Sequence, residues 1–525
     1  MPTEWEQRIV QALNDPTFYK HPVQTVEMLE SHISWIFLAG EFAYKVKKPV
    51  NFGFLDFSTL AKRLHFCHEE LRLNRRFAPH LYLSVEQIGG SIDSLSLGAD
   101  PPLEYAVKMR RFPQACQCDR LLTRHQLDSS QLTAFAEKLA HLHQGAARAA
   151  MNEPYGEPEA VLAPMLENFA QIRRHDSAAA DADQLPQLET WTRDMYAKCE
   201  PLLRQRRAAG YIRECHGDLH LANMAWFEEQ PLLFDCLEFN RNLRWIDVIN
   251  DIAFLVMDLD DRGRPELGWH FLNHYLQRTG DYQGLSLLNF YKVYRAMVRA
   301  KVNALRLAQE GLSGTERQQD LRLYRSYLDL ALGYIDTRPR RLLLTHGFSG
   351  SGKSTFAGAL AELSGLLHLQ SDRERKRLHN LAAEARSNSP LDSGIYTPAA
   401  DSATYRRLQQ LAETVLDAGH SVIVDATFLK RYQREPFLHL AEKQRVPLLI
   451  LDFAVTPDEL RRRILSRSET RGAISEAGLE VLESQLSRHE PLTERERDLS
   501  ITVDPRTTPM QIAKRIDRRG QISSG

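Results

Sequence analysis

A chain of 525 residues exceeds what one hydrophobic core usually organises, and with 43% hydrophobic and 26% charged residues it has a globular composition, neither disordered nor fibrous. Lys plus Arg (67) nearly cancels Asp plus Glu (68), so no global field favours nucleic acid or an anionic membrane. Six cysteines, all in the first half, are too sparse for a disulfide framework and fit a reducing cytoplasm, while the N-terminus lacks a basic-then-apolar leader and no apolar run reaches about 18 residues.

Three short strands are predicted first: Thr25–Leu29, Ser34–Leu38 and Glu41–Val46, with Ala39-Gly40 turning between the last two. A helix follows, with Ser58 as its N-cap and Leu60, Leu64, Cys67, Leu71 and Asn74 at helical spacing. On that wheel Glu70 falls at the edge of the buried stripe and Glu69 on the other side, so Glu70 is the better partner for a clefted lysine upstream. Phe42-Ala-Tyr-Lys45 has the form of the strand on which a lysine holds nucleotide phosphates and pairs with a helix glutamate. Tyr105–Met109 is a further strand, and Arg110-Arg-Phe-Pro113 is an exit that could join two lobes.

From Asp128 the pattern turns helical, with Leu132, Phe135, Leu139 and Leu142 on one stripe. Residues 176–187 read as an exposed connection, and a helix from Leu188 to Ala209 stops at Gly210. His216-Gly-Asp-Leu-His-Leu-Ala-Asn223 then has the H-G-D-x-x-x-x-N spacing of a phosphoryl-transfer loop. In that chemistry Asp218 accepts the proton of an attacking hydroxyl, Asn223 offers an amide oxygen to Mg²⁺, and Asp235, after Pro231-Leu-Leu-Phe, supplies a metal carboxylate. His216 reads as a brace, because Asp218 already fills the base role. Asp247 and Asp251, four apart, are expected on one helix face as loop anchors.

Helical sequence fills 284–335, and Asp336-Thr-Arg-Pro-Arg340 breaks it. Leu342–His346 is a buried-strand run that enters Gly347-Phe-Ser-Gly-Ser-Gly-Lys-Ser354, a G-x-x-x-x-G-K-[ST] phosphate loop, with a helix from Lys353 to Leu363 after it. Gly347, Ser349, Gly350, Ser351, Gly352 and Thr355 would cradle phosphates through backbone N–H groups, Lys353 would reach the β- and γ-oxygens, and Ser354 would be the magnesium hydroxyl. Strands at Leu366–Gln370, Ser421–Val424, Leu448–Phe453 and Leu499–Val503 alternate with helices, which predicts a parallel sheet. Asp425 then suits a metal position and Asp372, taken as the end of the second strand, a general base. Arg467 and Arg471 flank a loop suited to an arginine-bearing lid.

Lys45, Glu70, the 216–223 loop, Asp235 and the Asp247/Asp251 pair together resemble the aminoglycoside phosphotransferase family, over about residues 25–300. That resemblance implies a bilobal protein-kinase-like fold and small-molecule O-phosphorylation, without naming the acceptor. The chain departs from the kinase pattern at Glu30-Ser-His-Ile33, which has no glycine-rich loop, so phosphate contacts there fall to Ser31, Ser34 or backbone N–H groups. Gly347–Thr355, Ser371-Asp372, Val424–Thr427, the arginine-rich lid and Ser484-Gln485 resemble P-loop kinases related to gluconate kinase, polynucleotide 5′-kinase and the zeta-toxin group.

The expectation is a bilobal kinase-like fold (1–112 first lobe, 113–337 helical lobe) followed by an α/β P-loop domain with a parallel sheet (338–525). Both halves would use ATP and Mg²⁺ on small-molecule hydroxyl acceptors. Two other readings stand beside it: a nucleotide-sensing first half that regulates an active P-loop half, and a nucleic-acid 5′-hydroxyl kinase.

Overall fold

The structure is a computed structural model that describes the chain apart from residues 1–3, 54, 92, 176–183, 310, 337–338, 383–384, 386–392, 469–477 and 523–525. It divides into two compact units: Met1–Gln171 with Tyr196–Asp258, and Ile172–Met195 with Leu259–Gly525.

In the first unit α1 (Glu4–Leu13) precedes β1 (Val26–Glu30), β2 (Ser34–Ala39), β3 (Phe42–Lys47), α2 (Leu60–Phe77), β4 (Tyr82–Ser91), β5 (Ser94–Leu97) and β6 (Pro102–Arg110). The strands form one antiparallel sheet in the order β1-β2-β3-β6-β4-β5. Period-two alternation sorts its faces: Phe37, Tyr44 and Val46 pack with Ile9 and Leu13, which turns Lys45 and Lys47 to the other side. Thr59, not Ser58, caps α2 by accepting from Lys62 N. The physical reason is that Asp56 already binds both the Ser58 N–H and its hydroxyl. The buried stripe of α2 runs through Arg63, Cys67, Glu70, Asn74 and Phe77, so Glu70 lies at its centre and not at its edge.

Helices α3 (Cys118–Thr123) and α4 (Ser129–Gly145) follow, the latter opened by an Asp128/Gln131 capping box. Next come α5 (Pro158–His175) and α6 (Gln184–Ala208); of the connection expected at 176–187, residues 176–183 lie outside the described residues and 184–187 are helical. Strands β7 (Ile212–Glu214), β8 (Met224–Phe227), β9 (Gln230–Leu233) and β10 (Trp245–Asp247) pair as two antiparallel ribbons, β7 with β10 and β8 with β9, and α7 (Val248–Asp261) closes the unit. Asp247 ends β10 and so does not share a helix face with Asp251. Its carboxylate accepts from Ile249 N at the start of α7 and grips buried Arg206 at 2.7 and 2.9 Å.

The second unit holds α8 (Pro265–Thr279), α9 (Leu288–Leu307) and α10 (Gly314–Ile335), then β11 (Leu342–His346), α11 (Lys353–Ser364), β12 (Leu366–Gln370), α12 (Ser371–Leu378), α13 (Pro398–Asp417), β13 (Ser421–Asp425), α14 (Arg431–Gln444), β14 (Leu448–Phe453), α15 (Pro457–Ser468), α16 (Leu479–Arg488), α17 (Glu494–Asp498), β15 (Ser500–Val503) and α18 (Pro509–Ile522). The five strands are parallel in the order β12-β13-β11-β14-β15. Their apolar runs bury Leu343, Ile423 and Leu451 against Ala357 and Leu360 of α11 and Ile512 and Ile516 of α18. Residues 259–335, expected with the helical lobe, therefore group with the P-loop sheet, because α8 packs on α11 and on edge strand β12. Among the described residues no helix is long and apolar enough to cross a membrane.

Candidate functional sites

Strand β3 delivers Lys45 and Lys47, two apart, to the face that meets α2. Lys45 is 6% exposed; its Nζ lies 2.9 Å from Glu70 Oε1 and 2.5 Å from Asp235 Oδ1. Lys47 Nζ lies 2.6 Å from Glu70 Oε2 and also binds Glu238. Two lysines thus meet three carboxylates. Although burial works to raise it, Lys45 and Lys47 hold the Glu70 carboxyl down at about 2. Glu238 goes the other way, since burial outweighs the pull of Lys47 and raises its pKa. Burial also lowers the pKa of Lys45, but Asp235 and Glu70 more than reverse this, so the lysine stays charged.

The 216–223 loop is pinned from below by α7. Asp251 accepts from His216 N (3.0 Å) and Gly217 N (2.8 Å) and contacts His143 Nε2 (3.1 Å), while Asp258 accepts from Leu221 N (2.9 Å). His143, Cys215 and Asp251 form a buried cluster of metal-ligand type, but both Asp251 oxygens are spent on the loop backbone, which makes the cluster a brace. His216 is fully buried, its ring nitrogen Nε2 sits 2.9 Å from Phe234 O, and desolvation lowers its pKa, so it is a neutral support. The Asp218 side chain is 39% exposed. Asn223 Nδ2 donates to its Oδ2 and to its carbonyl, each at 3.0 Å. Asp235 follows β9 by two residues with φ +60, and its N–H donates to the Tyr82 hydroxyl, so an otherwise uncommon left-handed residue presents a 45% exposed carboxylate beside Lys45. Asn223 spends its N–H on Asp218, so the amide oxygen and the open Asp235 carboxylate are hard oxygen donors of the kind that suits Mg²⁺.

Lys45 and Asp235 border a cavity of about 260 Å³, walled by Leu29, Ile36, Ala43, Met109 and Phe234 and by the 110–112 exit. A mostly apolar slot with Lys45 and Asp235 at its border suits a nucleotide base and its phosphates. The β1–β2 turn is less suited to phosphate than expected. Ser31 Oγ accepts from Ile33 N and Ser34 N, and Ser31 N donates to Ser34 O, so those groups close the turn instead.

The second site begins where β11 enters the phosphate loop. Gly347, Gly350 and Gly352 have φ of +149, +84 and +90, which lets the loop wrap back on itself before α11. Lys353 Nζ lies over the loop, donating to Phe348 O (2.7 Å) and Ser351 Oγ (3.3 Å). Gln485 on α16 pairs with Ser349, accepting from its N–H at 2.9 Å and donating to its hydroxyl at 3.0 Å. Thr355 lies in the first turn of α11. Asp425 ends β13, buried; burial raises its pKa, but His368, Ser354 and Lys353 hold it below the usual carboxylate range. Ser354 is near enough to the Asp425 carboxylate to help hold it ionised, so the two bring a hydroxyl and a carboxylate oxygen together at the loop's end, donors of the kind that suits Mg²⁺.

Asp372 does not end β12, which stops at Gln370. It sits in the first turn of α12, where Gln370 holds the cap position without a side-chain bond, and it faces Arg375, which binds Asp401 at 3.0 Å. Arg467 lies near the end of α15, and Arg471 lies outside the described residues. From the same helix Arg463 instead reaches Ser351 O at 3.4 Å. Sequence reasoning missed Lys47, Glu238, Tyr82, Arg463 and His368. Lys47 had a signal, since a strand puts it on the same face as Lys45.

The chain matches the model of the phosphotransferase enzyme family over residues 63–288 and that of the AAA domain over 342–492. It is 34% identical over 481 residues to an uncharacterized protein of Mycobacterium tuberculosis (strain ATCC 25618 / H37Rv), covering 90% of this chain and 93% of that one, and equally to one of Mycobacterium bovis. Among solved structures, an amicoumacin kinase in complex with AMP-PNP, Ca²⁺ and Ami is 14% identical, with 62% of this chain and 93% of that chain covered and a TM-score of 0.40. A sugar kinase from Janibacter sp. is 26% identical over 34% of this chain and 92% of its own, with a TM-score of 0.26. A gluconokinase from Sinorhizobium meliloti 1021 is 20% identical over 36% and 99%, also with a TM-score of 0.26.

Proposed function

The chain belongs to the same family as the mycobacterial proteins it matches along 90% of its length, and because it joins a phosphotransferase-enzyme domain to a P-loop AAA domain, we propose that it is a bifunctional kinase. Each half transfers the ATP γ-phosphate to a hydroxyl of a small molecule. The observation that carries this reading for the first half is the Asp218–Asn223 contact on a loop pinned by α7, within the unit whose Lys45, paired with Glu70, borders an apolar slot.

In the first half, the slot takes the base and Lys45, kept charged by Asp235 and Glu70, takes phosphate oxygens. Asn223 fixes Asp218 Oδ2 in place. The acceptor hydroxyl loses its proton to Asp218 as its oxygen bonds to the γ-phosphorus, and the β–γ bridging oxygen leaves with ADP. Asn223 and Asp235 would hold Mg²⁺, which neutralises phosphate charge when bound. In the second half, Lys353 exchanges its bonds to Phe348 O and Ser351 for phosphate oxygens, Ser354 and Asp425 would hold the metal, and Asp372, set beside Arg375, serves as base.

A regulatory first half is the second reading, favoured by the self-satisfied β1–β2 turn. Against it stands the half-buried Asp218, whose carboxylate is open to solvent at one side, because a sensing module has no use for a base. The test is an ATP-consumption screen over alcohols, sugars, aminoglycosides and 5′-hydroxyl oligonucleotides with the parent, Asp218→Asn and Lys353→Ala. The two variants are expected to abolish different products; if neither changes any turnover, the bifunctional reading fails.

A further inference from the structure

Edge strand β12 has no strand on its outer side among the described residues, and helix α8 closes that side with side chains. Asn273 bonds twice: its Nδ2 donates to Leu366 O at 3.0 Å and its Oδ1 accepts from His368 N at 2.8 Å. Four residues on, Gln277 Nε2 donates to His368 O at 3.1 Å. Two amides at i and i+4 on one helix face thus do the work of a ladder partner, and both polar backbone groups of His368 are fixed. The close approach is built in elsewhere too. Gly365, at φ +64, lies so near Trp269 of α8 that a Cβ there would meet the indole at 3.0 Å, and His270 Nδ1 lies 2.8 Å from Glu362 Oε1 on α11.

The His368 side chain stands on the face of the sheet covered by α11, where its ring lies near Gly358, and reaches across toward β13. Gln370 is the register partner of Asp425, and His368, two residues earlier, shares its face, which makes the imidazole the diagonal neighbour of the Asp425 carboxylate. Nε2 lies 3.4 Å from Oδ2, with both residues buried. An ionised carboxylate can only accept, so Nε2 carries the hydrogen. Thr345 Oγ1, 3.5 Å from Oδ1, lies at the other oxygen.

We propose that His368 is a positioning residue of the P-loop site: it orients the Asp425 carboxylate that, with Ser354, would hold Mg²⁺, and helix α8, within the segment matched by the phosphotransferase family, holds His368 in register. This rests on the P-loop kinase reading. Partners of a metal-binding carboxylate commonly change metal affinity or activity by about 10-fold to 100-fold when removed.

The experiment uses the full chain in a Lys45→Ala background, which weakens the first nucleotide site, and titrates ADP by calorimetry with and without Mg²⁺. His368→Leu keeps the volume and loses the donor; His368→Gln returns an N–H near the position of Nε2. The expected result is that His368→Leu weakens MgADP binding by about 10-fold or more, leaves metal-free ADP binding within about 2-fold, and shifts the Mg²⁺ concentration for half-maximal turnover upward, with His368→Gln near the parent. Asn273→Leu is expected to move the same readouts in the same direction by less. If His368→Leu weakens ADP equally with and without Mg²⁺, or if His368→Gln, folded by thermal melting, is as impaired as a folded His368→Leu, the proposal is overturned. Where His368→Leu does not fold, parent-like Mg²⁺ dependence in Asn273→Leu and a Mg²⁺-independent loss in His368→Gln overturn it. Lys353→Ala separates the two readings: binding that survives that change sinks the P-loop assignment itself, whereas loss in Lys353→Ala with no metal-specific loss in His368→Leu sinks only the positioning role.

Discussion

At the scale of single residues, the charge cluster under the first site makes the sharpest demand on the fold. Removing one partner of a buried ion pair leaves the other uncompensated, at a cost of roughly 3–5 kcal/mol. Glu70→Gln is therefore expected to lower the unfolding free energy by an amount in that range, read as a lower denaturant midpoint at unchanged slope, because it takes a carboxylate from both Lys45 and Lys47 at once. Glu238→Gln is expected to cost clearly less, since burial already favours the neutral form of that carboxyl. Equal losses would contradict the assignment. The pH dependence follows with a definite sign. Glu70, held at about 2 in the fold against 4.5 for the free carboxyl, contributes stability that is complete above 4.5 and lost as pH falls toward 2. Glu238 acts in the opposite sense, its ionisation opposing folding until pH falls through its raised value, so the Glu238→Gln variant should show the steeper acid loss. Much of this site was legible: Lys45, Glu70, Asp218, Asn223 and Asp235 came from motif spacing, and the fold brings Lys45 into contact with Glu70 and Asp235, and Asp218 with Asn223. Glu238 was not, because a buried acid with a partner 191 residues away leaves no local pattern.

Among the elements, the legible ones were those whose apolar period matches their burial on both faces. The five parallel strands read as continuous apolar runs and appear within a residue or so of their expected ends. Strands β4 and β5 passed unread: Gly89-Gly90 interrupts β4, and its register is irregular at Ile88/Gly89. The placement of Asp372 shows the same limit at an element's end, where a strand that passes directly into a helix offers no turn residue to mark the change. The 216–223 loop depends on one backbone position. Gly217 has φ +83, and a Cβ there would lie 2.8 Å from Leu243 O, a backbone atom that cannot swing aside. Gly217→Ala is expected to strain the loop by roughly 1–3 kcal/mol and displace Asp218. Turnover of the Asp218-dependent product should fall about 100-fold, carried by kcat with KM for ATP little changed, since the apolar slot proposed for the nucleotide lies on other elements. A loss carried by KM alone would place Gly217 in nucleotide binding instead.

For the whole molecule, the chain-order boundary at 337 separates what the contacts join. Asn273 and Gln277 supply three hydrogen bonds to the open side of β12, and each such bond is worth about 1 kcal/mol net. A fragment starting at 338 keeps the phosphate loop but exposes that strand's backbone and the apolar surface of α11 beneath α8. A fragment starting at 259 keeps them covered. The shorter fragment is expected to melt roughly 10 °C lower, from about 3 kcal/mol lost in a domain of this size, and to self-associate through the bared edge in size-exclusion chromatography. Addition of MgADP should narrow the gap without closing it, because ligand stabilises whatever fraction is folded and cannot replace the missing bonds. Equal melting temperatures would mean that α8 rests on the sheet without supporting it. The fused arrangement would then be a matter of linkage alone, and the two halves could be exchanged or separated without cost to the P-loop site.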